Sequence, residues 1–103
     1  MSFLKKIFRS GSKTDYAELM RKGAIILDVR SPAEFRNGHI EVSLNIPLNN
    51  LENNLSELDK NKCIICCCAS GMRSGSARNL LKSRGFSEVY NGGSWMGLQN
   101  KIK

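Results

Sequence analysis

Four cysteines fall within six residues, at positions 63, 66, 67 and 68. The last opens the stretch Cys68-Ala69-Ser70-Gly71-Met72-Arg73-Ser74, which separates an apolar run from a segment of helical periodicity. In an open parallel sheet, ligands bind beyond the carboxyl ends of the strands, and Cys68 stands at such an end. The loop leads into a helix N-terminus, where free backbone N–H groups and the helix dipole favour an anion. A thiol placed there is shifted toward its thiolate, the nucleophilic form. Gly71 lets the loop curl so that successive N–H groups point inward. Arg73 adds a permanent positive charge and planar donors. Such a cradle, built from Ala69, Ser70, Gly71, Met72 and Ser74 around Cys68, suits a thiolate, the outer sulfur of a persulfide, or the oxyanion of a substrate. Attack by the thiolate on sulfane sulfur would leave a persulfide on Cys68, which a second nucleophile would then relieve of its sulfur. Neither a metal nor an organic cofactor is needed.

The other cysteines read differently. Clustered this tightly, they cannot staple distant segments, and adjacent cysteines bridge only with strain. They are expected to be free thiols in a reducing compartment. Strand alternation sends Cys66 and Cys68 to one side of a sheet and Cys67 to the other. Cys66 and Cys67 read as small buried hydrophobes, with a resolving thiol for an oxidised Cys68 as the functional alternative. The Cys63-x2-Cys66 spacing invites zinc, but only one such pair exists, and alternation points its side chains apart. His39 is the only histidine; a thiolate at a helix terminus needs no general base, so His39 reads as structural. Asp28 and Arg30 could brace the active loop through charge-assisted hydrogen bonds, or form an ordinary strand-end ion pair.

These residues must be positioned by alternating strands and helices. Thr14 or Asp15 caps a helix running to about Lys22, ended by Gly23. Ala24 to Val29 is a continuous apolar run broken only by Asp28, as in a buried parallel strand. Ser31-Pro32-Ala33-Glu34 is a capping box with proline at the first helical position. A second strand is expected over Val42 to Leu48, and a helix from Asn50 to Leu58 with Leu51, Leu55 and Leu58 on one face. Lys62 to Cys67 reads as a third strand, Ser74 to Arg84 as a helix, and Phe86 to Tyr90 as a last strand. Asn91-Gly92-Gly93 reads as a turn, followed by a short helix around Trp95 to Leu98. The fold class is therefore α/β, with a mainly parallel sheet and helices on both faces.

The chain has 103 residues, enough for one domain, and a formal net charge of +7. Excess positive charge attracts anions. With seven per cent aromatic residues and no alternation of basic and aromatic side chains, nothing suggests base stacking. Nucleic acid is not an expected partner. No apolar run approaches the ~20 residues of a membrane span, and no secretory signal is visible, so a cytoplasmic location is the default. Residues 1–13 form a basic leader ahead of a domain over 14–103. Phe3, Leu4, Ile7 and Phe8 recur at helical spacing. Contact with a membrane is one reading, but so short a helix is marginal alone, which favours a frayed or self-packed terminus.

From about Thr14 to Leu98, the chain resembles the single-domain rhodaneses. The resemblance rests on Asp28-Val29-Arg30, Glu34-Phe35, Gly38-His39-Ile40, Asn45-Ile46-Pro47-Leu48, the loop from Cys68 to Ser74, and Gly92-Gly93 followed by Trp95, in that order. It implies a sulfurtransferase that takes sulfane sulfur from thiosulfate or a persulfide and carries it on Cys68. It also implies that the amides from Ala69 to Arg73 line the pocket, and that the sheet has five strands, the first a very short one near Ser12 to Thr14. A protein-to-protein sulfur relay is the alternative, with a protein donor or acceptor. Cysteine phosphatases and arsenate reductases pair the same residue types around an anion. The related cell-cycle phosphatases, however, place five residues between Cys and Arg, where this loop has four.

Overall fold

The computed structural model describes residues 14–103. The leader over 1–13 lies outside the described residues. Helix α1 spans Tyr16–Arg21, capped by Asp15, whose carboxylate accepts the Glu18 amide. Strand β1 follows at Ile25–Asp28. Helix α2, Pro32–Arg36, begins with the expected capping box: Ser31 accepts from the Glu34 amide, and Glu34 accepts from the Ser31 amide. Strand β2 is Leu44–Asn45, and α3 is Leu48–Leu51, continued by a 3-10 segment over Glu52–Glu57. Strand β3 is Ile64–Cys68, α4 Met72–Ser83, β4 Val89–Ser94 and α5 Trp95–Ile102.

The strands lie in the order β2-β1-β3-β4, all parallel. Among the described residues the sheet has four strands rather than five. The expected first strand falls on residues 12–14; the first two of these lie outside the described residues, and Thr14 is in no strand. Helices cover both faces. Leu51 and Leu58 pack with Ala77 and Leu81 of α4 on the side of Leu27, Cys66 and Cys68. Tyr16, Leu19 and Met20 of α1 pack with Leu98 of α5 on the side of Ile26, Ile65 and Cys67. The period-2 alternation of β3 thus divides its cysteines between two cores, with Cys66 and Cys68 on one and Cys67 on the other.

Several expected elements differ, among them the last strand, expected over Phe86–Tyr90 and found at Val89–Ser94. The strand over Val42–Leu48 shrinks to two residues, because Pro47 and the Ser43 turn leave little ladder to form. The helix over Asn50–Leu58 starts earlier and tightens to 3-10 geometry, with Asn54 leaving helical angles. Asn54 donates its side-chain amide to the Asn50 carbonyl at 2.7 Å, the local competition that makes asparagine a poor helix former. The Asn91-Gly92-Gly93 turn is instead the interior of β4. A Cβ on Gly92 would lie 2.9 Å from Ile65 and 3.0 Å from both the Cys66 carbonyl and Leu98. Glycine there reflects close approach of backbone to backbone, not a reversal of the chain.

Candidate functional site

Strand β3 delivers Cys68 to the carboxyl edge of the sheet with its side chain on the α4 side. The chain then turns through Ala69 and Ser70 to Gly71. At φ 107° Gly71 occupies the left-handed region and caps α4. The helix therefore starts at Met72, two residues before the expected Ser74, and the first turn of α4 is part of the site. That turn aims its free amides at the sulfur. The Gly71 N–H reaches Cys68 Sγ at 3.0 Å and the Ser74 N–H at 3.4 Å. The Ser74 hydroxyl lies 3.4 Å from the same sulfur.

Burial is the strongest influence on this thiol and pushes it away from ionisation. The Ser74 hydroxyl and the amides of Ser74, Gly71 and Ser70 act together against burial and outweigh it, so Cys68 lies below the ordinary thiol range. The other three cysteines have no such donors. Burial drives Cys66 and Cys67 up to about 12, and Cys63 up to about 11. Of four thiols, only Cys68 is biased toward thiolate.

The remaining expected residues are distributed unevenly. Ala69 and Met72 make no hydrogen bond to the sulfur, and Met72 is 81% exposed. Arg73 was expected to bring its charge to the cradle. It feels the Cys68 charge, and it also forms a two-pronged ion pair with Glu34, Nη1 to Oε1 at 2.8 Å and Nη2 to Oε2 at 3.0 Å. The Arg73 guanidinium and the Ser31 amide hold Glu34 well below the usual carboxylate range, at about 2. Asp28 and Arg30 form a buried two-pronged pair of their own. They do not brace the loop after Cys68. Arg30 donates onward to the carbonyls of Gly38 at 2.8 Å and Glu34 at 3.4 Å, and lies 4.9 Å over the Trp95 ring. Strand parity explains this: Asp28 pairs in register with Cys67, on the face opposite the Cys68 thiol. His39 stacks on Phe35 with ring centroids 3.6 Å apart, and its Nδ1 bonds the Phe35 carbonyl; its place is structural.

Asn91 is the residue that sequence reading missed. Its Oδ1 accepts the Ser74 hydroxyl at 2.6 Å and the Gly93 amide at 3.0 Å, while its Nδ2 donates to the Gly71 carbonyl at 3.0 Å. One side chain on β4 thus fastens the loop at Gly71 and at Ser74. A sequence signal for it exists in Gly75, a glycine inside a helix, where a Cβ would stand 3.2 Å from Asn91 Nδ2.

The model of the rhodanese-like domain family matches residues 12–101. The chain belongs to the rhodanese-like family. A thiosulfate sulfurtransferase of Stutzerimonas stutzeri, GlpE, is 39% identical over 77 residues, covering 74% of this chain and 71% of its own. A putative sulfur carrier protein of Bacillus subtilis, YrkF, is 41% identical over 66 residues, covering 64% of this chain and 36% of that longer protein. Among solved structures, an E. coli rhodanese with anions superposes with a TM-score of 0.69 at 28% identity, covering 73% of this chain and 91% of that one. In this rhodanese-like domain, no helix among the described residues is long and apolar enough to cross a membrane.

Proposed function

We propose that this rhodanese-like domain is a sulfurtransferase that carries sulfane sulfur as a persulfide on Cys68. The observation that carries the reading is the Cys68 sulfur, held by two backbone N–H groups and a hydroxyl at 3.0–3.4 Å and biased toward thiolate among three insulated thiols. The thiolate attacks the outer sulfur of the donor. A Cys68–S bond forms, the donor's S–S bond breaks, and sulfite or a thiolate leaves with the electron pair. An acceptor nucleophile then attacks the outer sulfur of the persulfide, and Cys68 departs as the thiolate. Amides that steady the resting thiolate are suited to steady the anionic outer sulfur after transfer. Cys68 has no exposed surface in the resting structure. The two residues that follow it, Ala69 and Ser70, are both exposed.

The thiosulfate sulfurtransferase relative supports turnover on a small donor, and the sulfur carrier relative supports a relay between proteins; both use the same Cys68 chemistry. Phosphatase chemistry is disfavoured, because the arginine that would clasp a phosphate is already committed to Glu34.

The test is to incubate the reduced protein with thiosulfate and weigh it intact, beside a Cys68→Ser control. Cyanide is then added and thiocyanate measured. Gain of one sulfur atom that depends on Cys68 and is stripped by cyanide is the expected result. Efficient loading with poor cyanide turnover would favour the relay. Failure to load from either thiosulfate or a persulfide would overturn the reading.

A further inference from the structure

Strand β4 is irregular where it meets the end of β3. The register pairs Cys66 with Asn91 and Cys68 with Ser94, so three steps of β4 run beside two of β3. Gly93 lies within this bulge in the left-handed region, at φ 84°. Its amide turns back onto the Asn91 side chain and donates to Oδ1 at 3.0 Å. At the other end of the carboxamide, Nδ2 donates to the Gly71 carbonyl at 3.0 Å. A backbone N–H only donates and a backbone carbonyl only accepts, so these two contacts fix which end is oxygen. The amide cannot flip without losing both. The Tyr16 hydroxyl also anchors the Asn91 backbone, donating to its carbonyl at 3.2 Å.

The fixed amide dictates how the Ser74 hydroxyl is oriented. Oδ1 has no proton to give, so at 2.6 Å the hydroxyl must donate to it. A hydroxyl has one proton. While that proton is spent on Asn91, the oxygen faces Cys68 Sγ, 3.4 Å away, with lone pairs only. This arrangement accepts an S–H and offers an anionic sulfur no donor. To serve the anion, the hydroxyl has to leave a short bond.

We propose that Asn91 is a positioning residue for the Cys68 chemistry: it directs the Ser74 hydroxyl and so sets the share of that donor which the sulfur receives. It acts through Ser74 and touches no reacting atom. The proposal deepens the sulfurtransferase reading and rests on it for its consequence, since the anionic sulfur is the form that attacks a donor. Asn91 steadies the loop and at the same time withholds part of the stabilisation that the loop could give.

The test measures how much Ser74→Ala changes the ultraviolet titration of the Cys68 thiolate in three full-length backgrounds: wild type, Asn91→Asp and Asn91→Ala. Cys68→Ser in each background is the blank. Asn91→Asp keeps an acceptor for the hydroxyl and charges it, and charge-assisted hydrogen bonds are about twice as strong as neutral ones. Asn91→Ala removes the acceptor. Loosening of the loop, or repulsion from the new carboxylate, is present with and without the hydroxyl and cancels within a background. Arg73, Cys66 and Cys67, whose charges meet that of Cys68, are likewise the same within each comparison. In wild type, loss of the hydroxyl should lower the ratio of thiolate to thiol about tenfold. In Asn91→Asp the loss should be under about twofold, and in Asn91→Ala about thirtyfold. Any other order, equal effects included, overturns the proposal. If Asn91→Ala does not fold, the other two backgrounds decide: an effect in Asn91→Asp as large as in wild type overturns it. Sulfur loading from thiosulfate and from an alkyl persulfide is weighed on the same samples. Loading that fails while the order holds removes the sulfurtransferase reading and leaves Asn91 directing the hydroxyl; loading that succeeds while the order fails does the reverse.

Discussion

The hydroxyl of Ser74 is claimed by two neighbours, and the claim can be measured. With a single proton it donates to Asn91 Oδ1 at 2.6 Å while lying 3.4 Å from Cys68 Sγ. While Cys68 is a thiol, its S–H can donate to the hydroxyl. Once Cys68 ionises, the hydroxyl must turn from Asn91 to serve the sulfur. Ser74→Ala removes this donor but keeps the helix and the Ser74 amide contact. A hydrogen bond to a charged acceptor contributes about 1.5–3 kcal/mol. The long contact and the competing Asn91 put this one at the low end, about 1.5 kcal/mol, or about tenfold in the ratio of thiolate to thiol. The less stabilised thiolate is also the better nucleophile, which returns roughly half of the loss on a logarithmic scale. Alkylation of Cys68 by iodoacetamide, measured on the acid side of the wild-type thiolate titration where the thiol form predominates, should therefore slow about three- to fourfold, and the ultraviolet thiolate titration should move to higher pH. Cys68→Ser gives the background from the other thiols. An unchanged or faster rate in Ser74→Ala would mean that the hydroxyl stays with Asn91 throughout and gives the sulfur nothing.

Further outcomes follow from the same geometry. Gly92→Ala should destabilise the fold by about 3 kcal/mol, because its methyl would meet backbone and two core side chains at 2.9–3.0 Å; urea denaturation reads this directly. Cys66→Ala and Cys67→Ala should each cost about 1 kcal/mol of stability and leave sulfur loading of Cys68 unchanged; loss of loading in either would make it a working thiol. Glu34, held at about 2 in the folded chain against 4.5 ordinarily, contributes stability above pH 4.5 that disappears as pH falls toward 2. The melting temperatures of wild type and Glu34→Gln should differ by a constant amount above pH 4.5 and converge below it.

Much of this arrangement is legible in the sequence, for reasons that are local. The capping box at Ser31 and Glu34 needs only four residues, and it forms as expected. The alternation of Cys66, Cys67 and Cys68 follows from strand geometry alone and assigns each thiol to its face. What escapes is set by partners distant in sequence. Arg73 reads as a free cation because nothing in its own loop opposes it; its counter-charge is 39 residues away. Gly92 and Gly93 read as a turn because glycine usually breaks strands, whereas here Gly92 lets β4 press against β3. Asn91 looks like a turn residue for the same reason, although its side chain closes the loop. Asp28 and Arg30 are correctly seen as a pair, yet their face of the sheet becomes certain only once β1 and β3 are in register.

The fastening of the Cys68 loop by Asn91 has a consequence for how the molecule comes into being. Parallel strands pair only after long crossovers, and β4 is the last strand of the chain. Until it docks, Gly71 and Ser74 lack the side chain that fastens them. The donors that lower Cys68 sit in residues 70–74, so their alignment on the sulfur, rather than their presence, is what the last strand secures. Pulsed alkylation of Cys68 during refolding would read whether that alignment changes as β4 docks.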